Sequence, residues 1–469
     1  MWDFSRFYKN VALLDEYGQS VSYKEMDEIG RIISKKIGKR CLVFMLCENR
    51  IGSVIGYSAF VQNGIVPVLL SAKIEKDFLC NMIETYCPSY LWMPVEMTKN
   101  FSTYEIVYET CDYALVKTNT ITQYELFPEL CLMLTTSGST GSPKFVRQSY
   151  KNVESNAKSI VSYLGIGANE RAITTLPMNY TYGLSIINSH FMVGATILVT
   201  EKGLMQKEFW RFFNEGAATS FGGVPYTYEM LDKLRFFRMN LPTLRYMTQA
   251  GGKITPELHA KFAQYAQENG KKFIVMYGQC EATARMGYLP AEKAVEKCGS
   301  MGIAIPGGRF RLIDSRGDEI TEPYVTGELV YEGENVTLGY AECGEELKKG
   351  DERKGILHTG DMAQFDEDGY YYIVGRKKRF LKIYGNRVNL DEIDRLIKSQ
   401  YEGIECASSG VDDHMYIFIT DDVKAAEIKS FVSQKTKLNP SAFCVLVLDE
   451  IPKNDAGKTL YKELSKYYQ

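Results

Sequence analysis

The densest chemistry in the chain is Thr136-Ser137-Gly138-Ser139-Thr140-Gly141-Ser142-Pro143-Lys144, directly after the apolar run Leu132-Met133-Leu134. Glycine lets a backbone approach a ligand closely and turn its N–H groups inward. The hydroxyls donate hydrogen bonds and the lysine adds a point charge. The composition suits a loop that closes around phosphate, and equally a flexible Ser/Gly turn. It is not a Walker A sequence, because Gly141 is followed by Ser142-Pro143 rather than Lys and Ser/Thr. Gly457-Lys458-Thr459 fails the same test, since the required upstream glycine falls at Pro452.

Four further constellations follow. Tyr277-Gly278-Gln279-Cys280-Glu281, after the apolar Phe273–Met276, pairs an aromatic ring with a carboxylate at a strand end. Such a pair can stack a base and hold Mg²⁺, although Tyr-Gly-x-x-Glu is common. His358-Thr359-Gly360-Asp361 sets a carboxylate after a tight turn, fit for a ribose diol or simply for a turn cap. Gly375-Arg376, with Lys378, Lys382, Gly385 and Arg387, is either a site or a solvated basic face. Pro452-Lys453-Asn454-Asp455-Ala456-Gly457-Lys458 is a turn ending in a lysine, and surface turns share that composition.

These residues need a frame. Short apolar runs such as Cys41–Leu46, Ala195–Val199 and Phe273–Met276 alternate with helix-like stretches such as Tyr23–Lys36 and Glu257–Glu268. That alternation predicts α/β layers with partly parallel sheets, with the chemistry on loops at strand ends. After about residue 300 the pieces become β-rich, between turn signals at Pro306-Gly307-Gly308, Asp314–Gly317 and Asp366–Gly369. A small α+β domain is predicted behind the charged stretch Gly375–Arg379. The expected division is a core over 1–375, a hinge over 376–378 and a small C-terminal domain over 379–469.

At 469 residues the chain is too long for one core. An apolar content of 45% and a charged content of 24% are ordinary for a globular protein, and the net charge of −3 gives no reason to expect nucleic acid. No apolar run reaches the length of a membrane span. Met1-Trp2-Asp3-Phe4 lacks a basic-then-apolar signal pattern. The 11 cysteines form no C-x-x-C pair, and His190, His259, His358 and His414 are scattered, so no zinc site is expected. These features predict a cytoplasmic protein.

Taken together, in order and spacing, these motifs resemble the adenylate-forming superfamily of acyl-CoA synthetases, peptide-synthetase adenylation domains and firefly luciferase. Leu176-Pro177-Met178, Tyr182-Gly183, Gly327-Glu328-Leu329 and Gly339-Tyr340 fit the same order, so the resemblance runs from about Ser22-Tyr23 to Lys458. It implies activation of a carboxylic acid by ATP as an acyl-adenylate, release of pyrophosphate, and transfer to a thiol. By family position Thr136, Ser137, Gly138, Ser139, Thr140, Gly141 and Lys144 wrap the β- and γ-phosphates. Tyr277 and Gly278 meet adenine, with Gly251 and Gly252 as backbone wall. Glu281 and Thr140 hold Mg²⁺, Asp361 binds the ribose, and Arg376 reaches ribose or phosphate. Lys458 bridges carboxylate and α-phosphate. Lys378 is the implied hinge about which the small domain rotates, bringing Gly385 to a pantetheine tunnel.

The chain departs from the family at Cys280, usually threonine, at Ala456, often asparagine, and at Tyr461, commonly arginine. The implied acyl pocket involves Tyr180, Thr181, Lys253 and Arg285. Thr181 falls near the position where amino-acid-activating relatives carry an aspartate, which argues against an α-amino acid. Lys253 and Arg285 suit a second anionic or polar group on the acid, or else face solvent or nucleotide. Glu281–Arg285 with Tyr288-Leu289-Pro290 resembles stand-alone bacterial ligases that load acyl carrier proteins, so the implied acceptor is CoA or a carrier-protein phosphopantetheine. The alternatives are a stand-alone amino-acid ligase and a non-catalytic nucleotide-binding scaffold.

Overall fold

Leu42–Cys47 is apolar along its length and buried at every position. A strand covered on both faces must be apolar throughout, which is the signature of a parallel sheet between helical layers. The computed structural model bears this out: Leu42–Cys47 pairs in parallel with Val66–Ser71 on one side and Tyr90–Pro94 on the other. It describes residues 1–135, 144–377, 379–383, 386–401, 403–411, 413–436, 438–453 and 457–468, with only the backbone at 380, 382, 386, 387 and 389.

The chain divides into two compact units. The first comprises Met1–Thr136, Ser142–Arg309 and Tyr331–Leu357, and the second takes in Phe310–Val330 and His358–Gln469. The first unit carries two mixed sheets. One runs Gly339–Ala341, Phe145–Ser149, Leu130–Thr135, Val66–Ser71, Leu42–Cys47, Tyr90–Pro94, Tyr113–Lys117, Glu105–Thr110. The other runs Ile303–Ala304, Gly287–Tyr288, Lys272–Tyr277, Tyr246–Gln249, Ser220–Gly223, Arg171–Ile173, Thr196–Val199, Val11–Asp15, Ser20–Ser22. One core cluster joins them: Leu13 and Ile197 from the second sheet, Val43 and Met45 from the first, and Ile33, Val54, Phe60, Leu184 and Phe191 from helices.

Those helices form for local reasons. Tyr23–Ile37 starts at a capping box, where Ser22 Oγ accepts from Glu25 N–H and the Glu25 carboxylate accepts from Ser22 N–H. It stops at Gly38, which takes φ +79°. Its buried positions, Tyr23, Met26, Gly30, Ile33 and Ile37, fall on one face. Ile51–Gln62 is apolar around its circumference and is buried from Ile51 to Val61, as a helix inside a layered core must be.

Residues 310–330 and 358–376 of the second unit supply most of a five-stranded sheet ordered Glu319–Ile320, Gly308–Ile313, Gly327–Gly333, Ile356–Phe365, Tyr371–Arg376. The second unit also holds the ladder Cys406–Val411, His414–Ile419, Phe443–Val447, which packs on helices Leu390–Gln400 and Ala425–Thr436 around Ile393, Ile417, Ile428 and Phe443. The α/β class and the small C-terminal α+β element are as the sequence predicts. By compactness, residues 310–330 and 358–375 group with the C-terminal residues, earlier in the chain than the expected hinge. Lys378 and Gly385 lie outside the described residues. Among the described residues no disulfide joins the cysteines. Among the described residues no helix is long and apolar enough to cross a membrane.

Candidate active site

In the first unit the strand Leu130–Thr135 delivers the chain to residues 136–143, which lie outside the described residues, as do the roles expected of Thr136, Ser137, Gly138, Ser139, Thr140 and Gly141. The chain resumes at Lys144, just before the strand Phe145–Ser149. That strand pairs antiparallel with Gly339–Ala341 (Val146 opposite Tyr340), and this sets the Tyr340 ring beside Lys144. Lys144 Nζ lies 3.7 Å from the ring centroid and 3.6 Å from the Glu342 carboxylate. The Arg353 guanidinium lies 4.6 Å from the same centroid.

Tyr340 Oη donates to Glu281 Oε1 at 2.7 Å. Burial, and then the charge of Glu281, push the Tyr340 hydroxyl's pKa up, so the phenol keeps its proton and remains a donor. The backbone carbonyl of Glu281 accepts from Thr337 N–H at 3.0 Å, Thr337 Oγ1 at 3.0 Å and Arg353 Nη1 at 3.1 Å. Arg353 Nη1 also donates to Thr337 Oγ1. Glu281 is therefore fixed at its backbone and at one carboxylate oxygen, and no hydrogen bond engages Oε2 among the described residues. Mg²⁺ binds through one or two carboxylates and keeps much of its water, so a partly exposed, oriented carboxylate with one unengaged oxygen fits it. Among the described residues there is no group of three or more His, Cys, Asp or Glu side chains suited to a metal.

Beneath Tyr340 lies Arg147, fully buried at 0% exposure. Its Nε donates to Tyr340 O at 3.0 Å, Nη1 to Lys349 O, and Nη2 pairs with Glu352 at 2.5 Å. This arginine clamps the strand that presents Tyr340.

Tyr277, Gly251 and Gly252 meet at one sheet edge. Tyr246–Gln249 and Lys272–Tyr277 are neighbouring parallel strands with Gln249 opposite Val275, so Gly251 and Tyr277 both leave at the carboxyl ends, where open α/β sheets bind ligands. Gly251 has φ +84°, and a Cβ there would lie 2.6 Å from Tyr180 Oη. A Cβ on Gly278 would lie 1.7 Å from the Ala284 carbonyl oxygen, so only glycine lets the Glu281 turn fold back. Asn335 Nδ2 locks that turn by donating to Ala282 O at 2.9 Å and Arg285 O at 3.0 Å, and Asn156 Nδ2 reaches Arg285 O at 2.8 Å.

The expected acyl-pocket residues differ in burial and in contacts. Thr181 opens the helix Thr181–Val193 and its Oγ1 donates to Thr283 O, so it is engaged with the Glu281 turn. Tyr180 is the residue before that helix and packs over Gly251. Lys253 is exposed, whereas Arg285 is buried.

In the second unit Asp361 and Arg376 stand opposite each other on paired antiparallel strands, with Arg376 Nε 3.2 Å from Asp361 Oδ1. Asp361 N–H donates to Thr359 Oγ1 at 3.0 Å, Thr359 Oγ1 donates to Leu329 O at 2.7 Å, and Gly360 turns at φ +69°. Either side of residues 454–456, which lie outside the described residues, Lys453 and Thr459 form an antiparallel bridge and Leu460 N–H donates to Pro452 O at 2.8 Å. Tyr461, where the family commonly has arginine, lies 4.0 Å from the Arg379 guanidinium, which pairs with Asp391 at 2.5 Å and Asp394 at 2.8 Å.

The profile of the family described as AMP-binding enzyme matches residues 2–341. The chain belongs to that family. Like this AMP-binding enzyme in sequence are the 2-succinylbenzoate–CoA ligase of Bacillus subtilis (strain 168), 23% identical over 97% of this chain and 95% of the relative, and the oxalate–CoA ligase of Arabidopsis thaliana, 27% identical over 72% and 67%. The B. subtilis o-succinylbenzoate CoA synthetase (MenE) in complex with ATP and magnesium ion shares the fold, with a TM-score of 0.79 at 21% identity over 98% of each chain. Membership of the superfamily and the fold that it implies are thus as the sequence predicts. Tyr340 was legible only as part of a motif, and Arg353 and Arg147 carry no sequence signal of their own, since their roles arise from pairing with residues far away in the chain.

Proposed function

We propose that this AMP-binding enzyme is an acid–thiol ligase. A carboxylate oxygen attacks the α-phosphorus of ATP and the bond to pyrophosphate breaks. A thiolate then attacks the acyl carbon and AMP leaves. The observation that carries the reading is the contact chain Lys144–Tyr340–Glu281, which joins the end of the hydroxyl-rich loop to the proposed metal carboxylate. When bound, Mg²⁺ would neutralise phosphate charge, held by Glu281 and, by family position, Thr140. Lys144 would meet the phosphates with residues 136–141, and Tyr277 with Gly278 would flank adenine against Gly251 and Gly252. Asp361, oriented by Arg376, would accept from the ribose hydroxyls. Lys458 would bridge the two anions that must meet, which is electrostatic work. A hinge at 376–378 would let the domain 379–469 exchange Lys458 for the thiol tunnel near Gly385.

We take CoA as the acceptor, the one in the names of the relatives; a carrier protein offers the same phosphopantetheine thiol. An α-amino acid is disfavoured, because Thr181 offers no charge to an ammonium group and Arg285 would repel one. The test is nucleotide analysis after incubation with ATP, Mg²⁺, CoA and candidate acids. The reading expects AMP and acyl-CoA in equal amounts, and formation of ADP instead would overturn it.

A further inference from the structure

Among the described residues the first unit buries two arginines, and they differ in one respect. Arg147, at 0% exposure, is paired with Glu352. Arg285, at 3%, faces no carboxylate within ion-pair distance among the described residues. Its Nε donates to Ser185 Oγ at 3.1 Å, its Nη1 to Tyr163 Oη at 3.1 Å and to Met276 Sδ at 3.0 Å, and its guanidinium lies 5.0 Å from the Tyr182 ring centroid. Every one of these partners is neutral, and among the described residues Nη2 makes no hydrogen bond. A buried cation ordinarily finds an anion, because the interior solvates charge poorly. Close by, Tyr246 Oη is buried without a partner, and the charge of Arg285 acts on Tyr163, Tyr182 and Tyr246. The surroundings are thus cationic and lined with hydroxyls, with no carboxylate among the described residues to balance the charge.

The position is also informative. Arg285 lies four residues beyond Glu281 on the turn that Thr283 reverses at φ +65°. Ser185 and Tyr182 belong to the helix that Thr181 opens. The unpaired charge therefore lies between the turn of the proposed metal carboxylate and the helix expected to wall the acyl pocket.

We propose that Arg285 receives a second carboxylate of the acid, so that the substrate class is a dicarboxylate, activated at one end and held at the other. The proposal rests on the acid–thiol ligase reading. A guanidinium matches a carboxylate in two parallel N–H···O bonds, and Nη2 remains available for one of them.

The test uses the intact wild-type protein and matched acids: short linear and aromatic diacids, their monomethyl esters, and monoacids of equal length. Pyrophosphate exchange is measured for each. A fitting diacid should exceed its half-ester by at least about tenfold in kcat/KM, since a site built for a polar group rejects the analogue that lacks it. Arg285→Met should reverse that preference while melting as a folded protein, and Arg285→Lys should keep part of it. Half-esters or monoacids that match or exceed their diacids would overturn the proposal and leave the ligase reading intact. Silence from every acid, with ATP binding demonstrated, would remove the ligase reading and the proposal with it.

Discussion

Tyr340 Oη and Glu281 Oε1 are joined by a 2.7 Å hydrogen bond. They are 59 residues apart, yet the ring of Tyr340 also contacts Lys144 and Arg353, so one tyrosine links a cation of the proposed phosphate site to the proposed metal carboxylate. Partners that orient a metal ligand typically cost 10- to 100-fold in affinity or activity when removed, at roughly that order of magnitude. Tyr340→Phe should therefore lower adenylation about tenfold or more and raise the Mg²⁺ concentration needed, with the ring contacts retained and the melting temperature little changed. A Mg²⁺ titration of activity checks this; an unchanged titration would detach Tyr340 from the site.

Lys458→Ala should separate the two half-reactions. Removing a donor that acts on charge developing in the transition state costs on the order of 10²–10³ in rate. Adenylation should fall by that factor, whereas transfer from a supplied acyl-adenylate to thiol should survive. Equal loss of both half-reactions in single-turnover measurements would contradict the alternation of Lys458 with the thiol tunnel.

Gly278 and Gly252 make a controlled pair. At Gly278 an added methyl meets the Ala284 carbonyl oxygen at 1.7 Å, a backbone atom that cannot swing away, whereas at Gly252 the nearest atom is Pro225 Cγ at 3.1 Å. Gly278→Ala should destabilise the protein by about 1–3 kcal/mol or more and displace Glu281, and Gly252→Ala should cost less and leave Glu281 in place. Denaturant unfolding of the two variants makes the comparison.

The buried histidines predict loss of stability in acid. Burial, ahead of all else, lowers His190 and His259 to about 4. The unfolded chain takes up these protons near pH 6.5, while the folded chain resists them until about pH 4. Their contribution is thus whole above pH 6.5 and is lost as the pH falls toward 4, at the order of 3 kcal/mol for each. Asp394 works in the opposite direction: burial raises it to about 6, so its contribution is present below its ordinary value near 3.8 and is lost as the pH rises through 6. With two histidines against one aspartate, the melting temperature should fall from pH 7 to pH 5. His259→Gln should flatten that slope, and a slope unchanged in the variant would refute the assignment.

The motif residues and the α/β alternation were legible because they are local: Cys41–Leu46 is an apolar run between helix-like stretches, and Tyr277–Glu281 follows the apolar Phe273–Met276 at a strand end. What was not legible depends on long-range pairing. Arg353 and Arg147 are ordinary basic residues until Gly339–Ala341 pairs with Phe145–Ser149. Lys253 and Arg285 read alike in sequence, two basic residues beside glycine-rich or acidic motifs, and only burial tells them apart. The arginine usual at the position of Tyr461 would here place a second cation against Arg379, whose guanidinium the tyrosine ring accommodates instead.

The most direct test of the central claim is carboxylate-dependent exchange of labelled pyrophosphate into ATP, without any thiol present. The account predicts exchange that requires both Mg²⁺ and a carboxylic acid, that proceeds without CoA, and that Lys458→Ala abolishes. Binding of ATP without exchange for any acid would contradict it and favour a nucleotide-binding scaffold.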